Sequence, residues 1–497
     1  MTAQKRYTIG IDVGTTGTKV VLLDPDGALL AQEGRDCELF SQRSGFAEAD
    51  PGQWLNNIAS AIPVLLKTAG VAPAEIAAIA TTGMVPALVL VDGERRAVRR
   101  AILQNDARAT AQLSELGEAY RGLDVVGTTG SALTQQSIAP TLMWLREHEP
   151  DALRKAEIVM GSYDWVLYSL GAEAHVEQNW ALESGLFEID GRFFSPAFEH
   201  ARIEPELVPP PRSPGTVVGE LSANGARLTG LVAGVQLVVG GADHVLSAFA
   251  AGVDEAGSFL VKLGGAGDIL AASNTPVVDP RLYLDAHPVP GLWLPNGCMA
   301  TSGSLIRWYQ SLVGGAELMR LDAEAAEREP AEILCLPYFL GEKSPLHDPD
   351  LRGAFIGMHL GHTRADLYRS VLEGIAFGFR HHVEVFAEIG MPVHRAMVTN
   401  GGSKSVLWKQ IHADVLGIPM HPVLDHPGAS LGAAIIAAIG AGVLPDWAAA
   451  SRFLQLGPVV EPNPDTLDRY SDAYAEWRRS ADVLTPVSHH LSRRALS

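Results

Sequence analysis

The sequence predicts an α/β fold, built as two large domains of like design that face each other across a cleft. Its 497 residues exceed what one ordinary core holds at roughly 150 residues per domain. Strands alternate with helices along most of the chain, the pattern of layered α/β architecture. In addition, an apolar hairpin with a glycine-rich tip stands early in each half.

Taken in order, "RYTIGIDVG" and "TKVVLLD" are strands joined by a tight Gly/Thr turn, and "PDG" turns the chain into a third strand, "ALLAQEG". This is an antiparallel meander. Asp50 as N-cap and Pro51 at the first helical position open a helix that closes near Gly70. "IAAIATTGM" then reads as a buried strand. Midway, "GVQLVVGGADHVLSAFAAG" is a strand, a Gly-Gly turn and a helix, and "GSFLVKLGGAGDILAAS" is the second hairpin. Identity between the hairpins is low, so the duplication rests on layout alone.

The Pro-rich stretch from Pro205 to Gly215 has the composition of a linker. The boundary is placed later, near Gly252, because the second hairpin should open the second domain; the domains are then 1–251 and 252–497. Leu367, Val371, Ile375 and Phe379 share one face of a further helix. "GASLGAAIIAAIGAGVL", from Gly428, falls short of the ~20 residues of a membrane span and reads as a buried helix. The last stretch, "SADVLTPVSHHLSRRALS", shows no clear pattern and reads as a loosely held tail.

Composition narrows the function classes. With 47% hydrophobic and 19% charged residues the chain reads as a soluble globular protein. Its 38 basic and 57 acidic side chains give a formal charge of -19, so neither nucleic acid nor an anionic membrane is an expected partner. A phosphate bound here must be held locally, by amides, hydroxyls, a lysine or a metal ion. Cys37, Cys298 and Cys335 are too few and too scattered for a disulfide framework, which fits a reducing cytoplasm. No apolar signal core precedes the first strand.

The opening stretch, "IGIDVGTTGTKVVLLDPDG", is not a Walker-type loop, because its lysine is followed by a strand and not by a helix. A hairpin tip can cradle phosphate differently. Gly14 and Gly17 let amides approach it, while the hydroxyls of Thr15, Thr16 and Thr18 and the ammonium of Lys19 add donors. Asp12 would then face a metal-bridged phosphate through water. A well-formed turn with an exposed Asp is the plain alternative. In "VVGGADHV", Asp243 sits where a strand hands over to a helix, either as an ordinary N-cap or as a base for a hydroxyl attacking a phosphoryl group. "KLGGAGD" offers Gly264, Gly265 and Gly267 as a second backbone cradle or as a structural turn. Near "NGGSK", Gly401 and Gly402 would let a flat ligand such as a nucleoside lie against backbone.

In order, "GIDVGTTGTK", "GGADHVLSA", "LPYFLGEKSP", "RGAFIGMHLGHTRADLYRSVLEG", "NGGSKSVLWKQIHADVLG" and "GASLGAAIIAA" run over most of the chain. Together they resemble the FGGY carbohydrate kinases, closest to the xylulokinase-like branch. The resemblance implies a duplicated ribonuclease-H-like, actin-like fold, with sugar held mainly by the first domain and ATP by the second. It implies Asp243 as general base, Asp12 and Asp243 as the acids that place Mg²⁺, and Gly14 to Lys19 as contacts to the ATP phosphates. Gly264 to Gly267 would form the second phosphate loop, with Gly401, Gly402 and Lys404 near the nucleoside. Asp106, in "ILQNDARA", matches the family's sugar-contacting acid. The implied enzyme is an ATP- and Mg²⁺-dependent kinase of a small sugar or polyol, a ketopentose such as xylulose or ribulose foremost. A homodimer is the assembly such a family leads one to expect.

The chain departs from that branch at several positions. "GMVPA" replaces Gly-Gln-Met-His-Gly, so by the resemblance Val85 and Pro86 would line the sugar pocket without the usual His, and Gln104 replaces Trp before Asn-Asp. Buried polar groups discriminate hydroxyl patterns strongly, so the preferred sugar should shift. Gly-Gly-Ala replaces Gly-Thr-Ser in the second loop, Thr141 replaces a lysine, and Ala242 replaces a third glycine. Two alternatives follow, an actin-like ATPase that works through partners and a sugar-binding regulator without phosphotransfer. His381-His382 and His489-His490 lack partners at ligand spacing.

Overall fold

The computed structural model describes residues 6–43 and 45–495. The meander forms as expected: β1 (Tyr7–Val13), β2 (Gly17–Asp24) and β3 (Ala28–Asp36) pair antiparallel in sequence. Helix α1 (Pro51–Ala69) starts at Asp50, whose carboxylate accepts from the Gly52 amide, and ends at Gly70 with φ at 67°. β4 (Ile76–Gly83) runs parallel to β1. The short helix α2 (Gln178–Glu183) follows later, then β5 (Val217–Glu220), β6 (Gln236–Ala242) and helix α3 (Asp243–Ala250). The first sheet has the order β5-β6-β4-β1-β2-β3.

A second sheet repeats this design. Its strands are β7 (Phe259–Leu263), β8 (Gly267–Ala271), β9 (Tyr283–Ala286), β10 (Trp293–Met299), β11 (Ala396–Thr399) and β12 (Met420–Pro422). They lie in the order β9-β10-β8-β7-β11-β12. β7 pairs antiparallel with β8 and parallel with β11, as β1 does with β2 and β4. Five strands of each sheet therefore match in order and direction: β3-β2-β1-β4-β6 against β10-β8-β7-β11-β12. This is the duplicated, actin-like arrangement, visible in topology where sequence identity is too low to show it.

The helices between β10 and the C-terminus that bear on the site are α4 (Gly303–Leu312), α5 (Arg364–Glu388), α6 (Val406–Leu416), α7 (Ala429–Gly440) and α8 (Pro464–Ala495). α7 is the Gly/Ala-rich helix, and it packs against β1 and β4 of the first sheet, with its buried residues in the first sheet's core. The approach is close. A Cβ on Gly10 of β1 would lie 2.0 Å from the Ser430 carbonyl oxygen and 2.6 Å from the Ala434 nitrogen. Thr8 Oγ1 donates to the Ala434 carbonyl at 2.8 Å. Small side chains on both partners allow this contact. Residues 429–453 thus contribute to the core of the opposite half of the chain.

One expectation fails outright. The segment from Ser480 is no loose tail but the second half of α8, which continues to Ala495. Trp477 and Tyr470 are fully buried upstream. Downstream, His489 Nε2 meets Asp348 Oδ2 at 2.7 Å and Ser492 Oγ donates to Asp350 Oδ1 at 2.7 Å. The inward residues there include Ser488 and Ser492, while Val483, Val487 and Leu491 face out. The polarity of the helix is inverted relative to the usual amphipathic pattern, which hides it from a periodicity reading. His381 and His382 are both buried in α5, and His382 Nε2 shares a hydrogen bond with Ser344 Oγ at 2.8 Å. Among the described residues, no helix is long and apolar enough to cross a membrane.

Candidate active site

The carboxyl ends of β1, β4 and β6 finish side by side. Asp12 pairs with Thr82, Val13 with Gly83, and Gly83 in turn with Ala242, so Asp12 and Asp243 leave the sheet at one level. In open α/β sheets this edge is where ligands bind. The second sheet meets it from the other side with the ends of β7 and β11. Between them lies a cavity of about 920 Å³, lined by Asp12, Lys19, Asp243, Lys262, Gly401 and Lys404 among others.

Five of the residues singled out from the sequence therefore converge: Asp12, Lys19, Asp243, Gly401 and Lys404. Sequence reasoning missed Lys262, Asn400, Ser403 and Lys409, which line the same space. Lys262 was recoverable, because it stands in the second hairpin where the first has Asp12. Lys19 faces Asp12 across the first hairpin, and Lys262 faces Asp268 across the second, with Nζ 3.5 Å from Oδ2. Each hairpin thus carries one acid and one lysine, on opposite strands.

The hairpin tips behave differently from the expectation. Gly14 to Gly17 close on themselves, with the Gly14 amide donating to the Gly17 carbonyl at 2.9 Å, and they do not line the cavity. Thr15 Oγ1 reaches Met84 sulfur at 3.8 Å, whereas Thr16 is exposed. Thr18 is buried with its hydroxyl 3.5 Å from Cys37 Sγ, so it offers no donor to a ligand. Lys19 Nζ donates to the Pro427 carbonyl at 2.9 Å, which ties the hairpin to the start of α7. In the second hairpin, Gly264 and Gly265 are strapped by the head of α4: the Gly303 amide donates to Gly264 and the Ser304 amide and hydroxyl to Gly265, at 2.8 to 3.0 Å. Gly267 packs under Phe379.

Gly401 has open space where a side chain would be, but Gly402 does not. A Cβ there would come within 2.2 Å of the Trp408 ring and 2.6 Å of Leu263 Cβ. Close packing against Trp408 and Leu263 requires glycine at 402. Val85 and Pro86 are buried just past the end of β4. Asp106 is buried and fully engaged: Oδ2 accepts from the Ala47 amide at 2.6 Å and from Arg108 Nη2 at 2.8 Å, and Oδ1 accepts from the Arg108 amide and Nε, both at 2.9 Å.

Asp243 is the first residue of α3 and caps nothing, since Ala242 occupies the N-cap position. The ordinary N-cap reading is therefore excluded. Its side chain is 41% exposed to the cleft, with His244 Nδ1 3.5 Å from Oδ1. Burial works against its charge, but the neighbouring His244 imidazole and the ammonium of Lys262 outweigh it and hold the carboxyl below the usual range. Asp12 has the opposite environment. Burial and the neighbouring Asp243 push its carboxyl up to about 7, against the pull of Lys19 and Lys262. Its Oδ1 is buried without a hydrogen-bond partner. Two adjacent acids whose proton affinities are pushed apart are a common feature of sites that move protons.

Two domain models match the chain, the FGGY family of carbohydrate kinases N-terminal domain over residues 7–250 and the C-terminal domain over 264–441. The chain belongs to the FGGY family of carbohydrate kinases. Among its relatives, a xylulose kinase of Bacillus subtilis is 27% identical over 476 residues, covering 94% of this chain and 95% of that one. A xylulose kinase of Staphylococcus epidermidis is 28% identical over 508 residues, covering 97% and 99%. The crystal structure of xylulose kinase from Rhodospirillum rubrum superposes with a TM-score of 0.90 at 38% identity, covering 97% of this chain and all of that one. The protein is an ATP-dependent sugar kinase, and the readings as a partner-driven ATPase or a regulator without phosphotransfer are not supported.

Proposed function

We propose that this kinase transfers the ATP γ-phosphate to a hydroxyl of a ketopentose, xylulose or a close stereochemical relative, with Asp243 as the general base. The observation that carries the reading is the Asp243 carboxylate, kept ionised by His244 and Lys262 at the mouth of a cavity lined by Lys19, Lys262, Lys404 and Lys409. An ionised carboxylate can accept the proton of an attacking hydroxyl. The surrounding ammonium groups neutralise the charge of a triphosphate and of the phosphoryl group in transit. The relatives named above support the ketopentose. Pro86 in place of a hydrogen-bonding side chain supports a shifted hydroxyl preference within that class.

Mg²⁺ belongs to the same reading. The unpartnered, buried Oδ1 of Asp12 beside Asp243 fits a divalent ion, because two close carboxylates of which one resists ionisation are stabilised by a positive charge. Asp12 and Asp243 would hold it, and it would supply charge neutralisation at the β- and γ-phosphates. The remaining work falls to the chain's own groups. Asp243 takes the proton, and the lysines of the two hairpins and of the Lys404 turn orient the triphosphate. The three cysteines, all free, support a reducing, cytoplasmic location.

The test is a panel of ketoses, aldoses and polyols with ATP and Mg²⁺, read by ADP release, for the wild-type protein and Asp243→Ala. Turnover on a ketopentose that disappears with Asp243→Ala is the expected result. Normal turnover by Asp243→Ala overturns the assignment of the base, and turnover confined to another sugar class overturns the substrate.

A further inference from the structure

The residue next to the proposed base is fastened to the opposite domain. His244 Nε2 stands 2.7 Å from Asp285 Oδ2, and Asp285 lies on β9, the edge strand of the second sheet. The Asp285 side chain is only 2% exposed, and its Oδ2 also accepts from Asn296 Nδ2 at 2.8 Å. β9 is clasped to the first half of the chain by paired bonds to one side chain: Asn179 Nδ2 donates to the Ala286 carbonyl at 2.9 Å, and the Ala286 amide donates to Asn179 Oδ1 at 2.7 Å. Glu183 Oε1, at the end of α2, approaches His244 Nε2 at 3.8 Å.

An imidazole held at one nitrogen by a buried carboxylate has its ring plane fixed. Its other nitrogen, Nδ1, then faces Asp243 Oδ1 at 3.5 Å. Asp243 has little else to orient it. It makes no helix cap, and among the described residues His244 is its only ion-pair partner. A free carboxylate at the mouth of a cleft samples several rotamers, of which few aim at a bound hydroxyl, and misplacement of a reacting group is costly in rate.

We propose that Asp285 and His244 form an interdomain positioning pair that aims the Asp243 carboxylate, so that the base is set only when the second sheet's edge strand is in place. The pair acts through Asp243, and the inference therefore rests on reading that residue as the base. Neither His244 nor Asp285 lines the cavity, and the proposal makes both positioning residues. The arrangement links the ATP-side half of the cleft to the sugar-side base through one hydrogen bond, at a point where the two halves are already clasped.

The test separates the two ends of the ring. Gln places its amide nitrogen near the Nε2 position and Asn near Nδ1, so His244→Gln keeps the contact to Asp285 while removing the donor that faces Asp243. kcat and both KM values are measured for wild type, Asp243→Ala, His244→Gln and Asp285→Asn, with melting temperatures alongside. For His244→Gln the expected result is a kcat lower by about tenfold or more, with KM for ATP and sugar within about threefold and an unchanged melting temperature. Asp285→Asn should lower kcat in the same way, and the double variant should be no worse than His244→Gln alone within about twofold, because one chain of contacts is broken twice. A kcat within about twofold of wild type for His244→Gln, with Asp243→Ala inactive, overturns the positioning role and leaves the base intact. Retained turnover by Asp243→Ala overturns the base reading itself. A raised KM at unchanged kcat assigns the ring to ligand binding and also overturns the proposal. If His244→Gln fails to fold, the nearly isosteric Asp285→Asn decides on the same kcat criterion.

Discussion

Replacing Asp12 by Asn should make the ligand-free protein more stable at alkaline pH while abolishing turnover. The Asp12 carboxyl stands near 7 against 3.8 in a free side chain, because burial and the adjacent Asp243 disfavour its charge. A group whose pKa is raised by folding stabilises the folded state below its unfolded pKa, and that contribution is lost as pH rises through the folded pKa. Each tenfold change in proton affinity is worth about 1.4 kcal/mol, so ionising Asp12 in the folded protein costs on the order of 4 kcal/mol. The side chain lines a cavity of about 920 Å³ that is open to solvent. Screening there reduces the figure, and at least about 1 kcal/mol should remain. Asn carries no charge at any pH. Its advantage over wild type should thus be near zero below about pH 3.5, open between about pH 4 and pH 7, and level off by about pH 8. Urea unfolding of both proteins across that range, without nucleotide or divalent ions, measures it. An Asn variant no more stable than wild type at the alkaline end refutes the reasoning, as does a gain that is equally large at the acid end.

Three further substitutions probe the frame. Gly10→Ala drives a methyl group to within 2.0 Å of the Ser430 carbonyl oxygen, so α7 must move off the first sheet; a loss of about 1 to 3 kcal/mol in denaturant unfolding is expected. Gly402→Ala meets the Trp408 ring at 2.2 Å and should raise KM for ATP more than KM for sugar, because the displaced turn carries Gly401 and Lys404 into the cavity. Trp477→Ala removes a fully buried ring whose Nε1 donates to the Cys335 carbonyl at 2.8 Å; a loss of about 3 to 5 kcal/mol is expected, with KM for sugar unchanged in whatever fraction remains folded.

Local chemistry made much of the fold legible. Asp50, Pro51 and Gly70 mark the limits of α1 because capping and the left-handed C-terminal residue are short-range effects. The Gly-rich hairpins were equally visible. What escaped were features decided by distant partners. α7 was readable as a buried helix, but nothing in its own residues says that it returns to the first sheet; Gly10 is the complementary half of that statement, some 400 residues away. Gly402 reads from sequence as a ligand-facing glycine, and the packing of Trp408 against it is decided by a side chain six positions on. Thr18 counted as a donor until its strand position turned it toward Cys37. The second half of α8 failed because its buried positions include Ser488 and Ser492, and its ties to the Asp348 to Asp350 turn run through His489 and Ser492, a pattern that hydropathy reads in reverse.

The duplicated hairpins show how one design was put to two uses. Each pairs an acid with a lysine across its two strands, Asp12 with Lys19 and Lys262 with Asp268, but with the order exchanged. The exchange places an acid at the end of β1 and a lysine at the end of β7, the two central strands whose ends face one cavity. Two acids at those positions would repel each other and the phosphates between them, and two lysines would leave no group to favour a divalent ion. One of each gives a cleft with an acid beside the proposed base and an ammonium group opposite. Asp243 has both as neighbours: Lys262 lowers its proton affinity, while its charge raises that of Asp12. The lysine that the exchange puts at the end of β7 adds to the effect of His244 in holding the Asp243 carboxyl low, while burial and the Asp243 charge hold that of Asp12 high. On the proposed reading, that difference suits Asp243 to accept the proton and Asp12 to face the divalent ion.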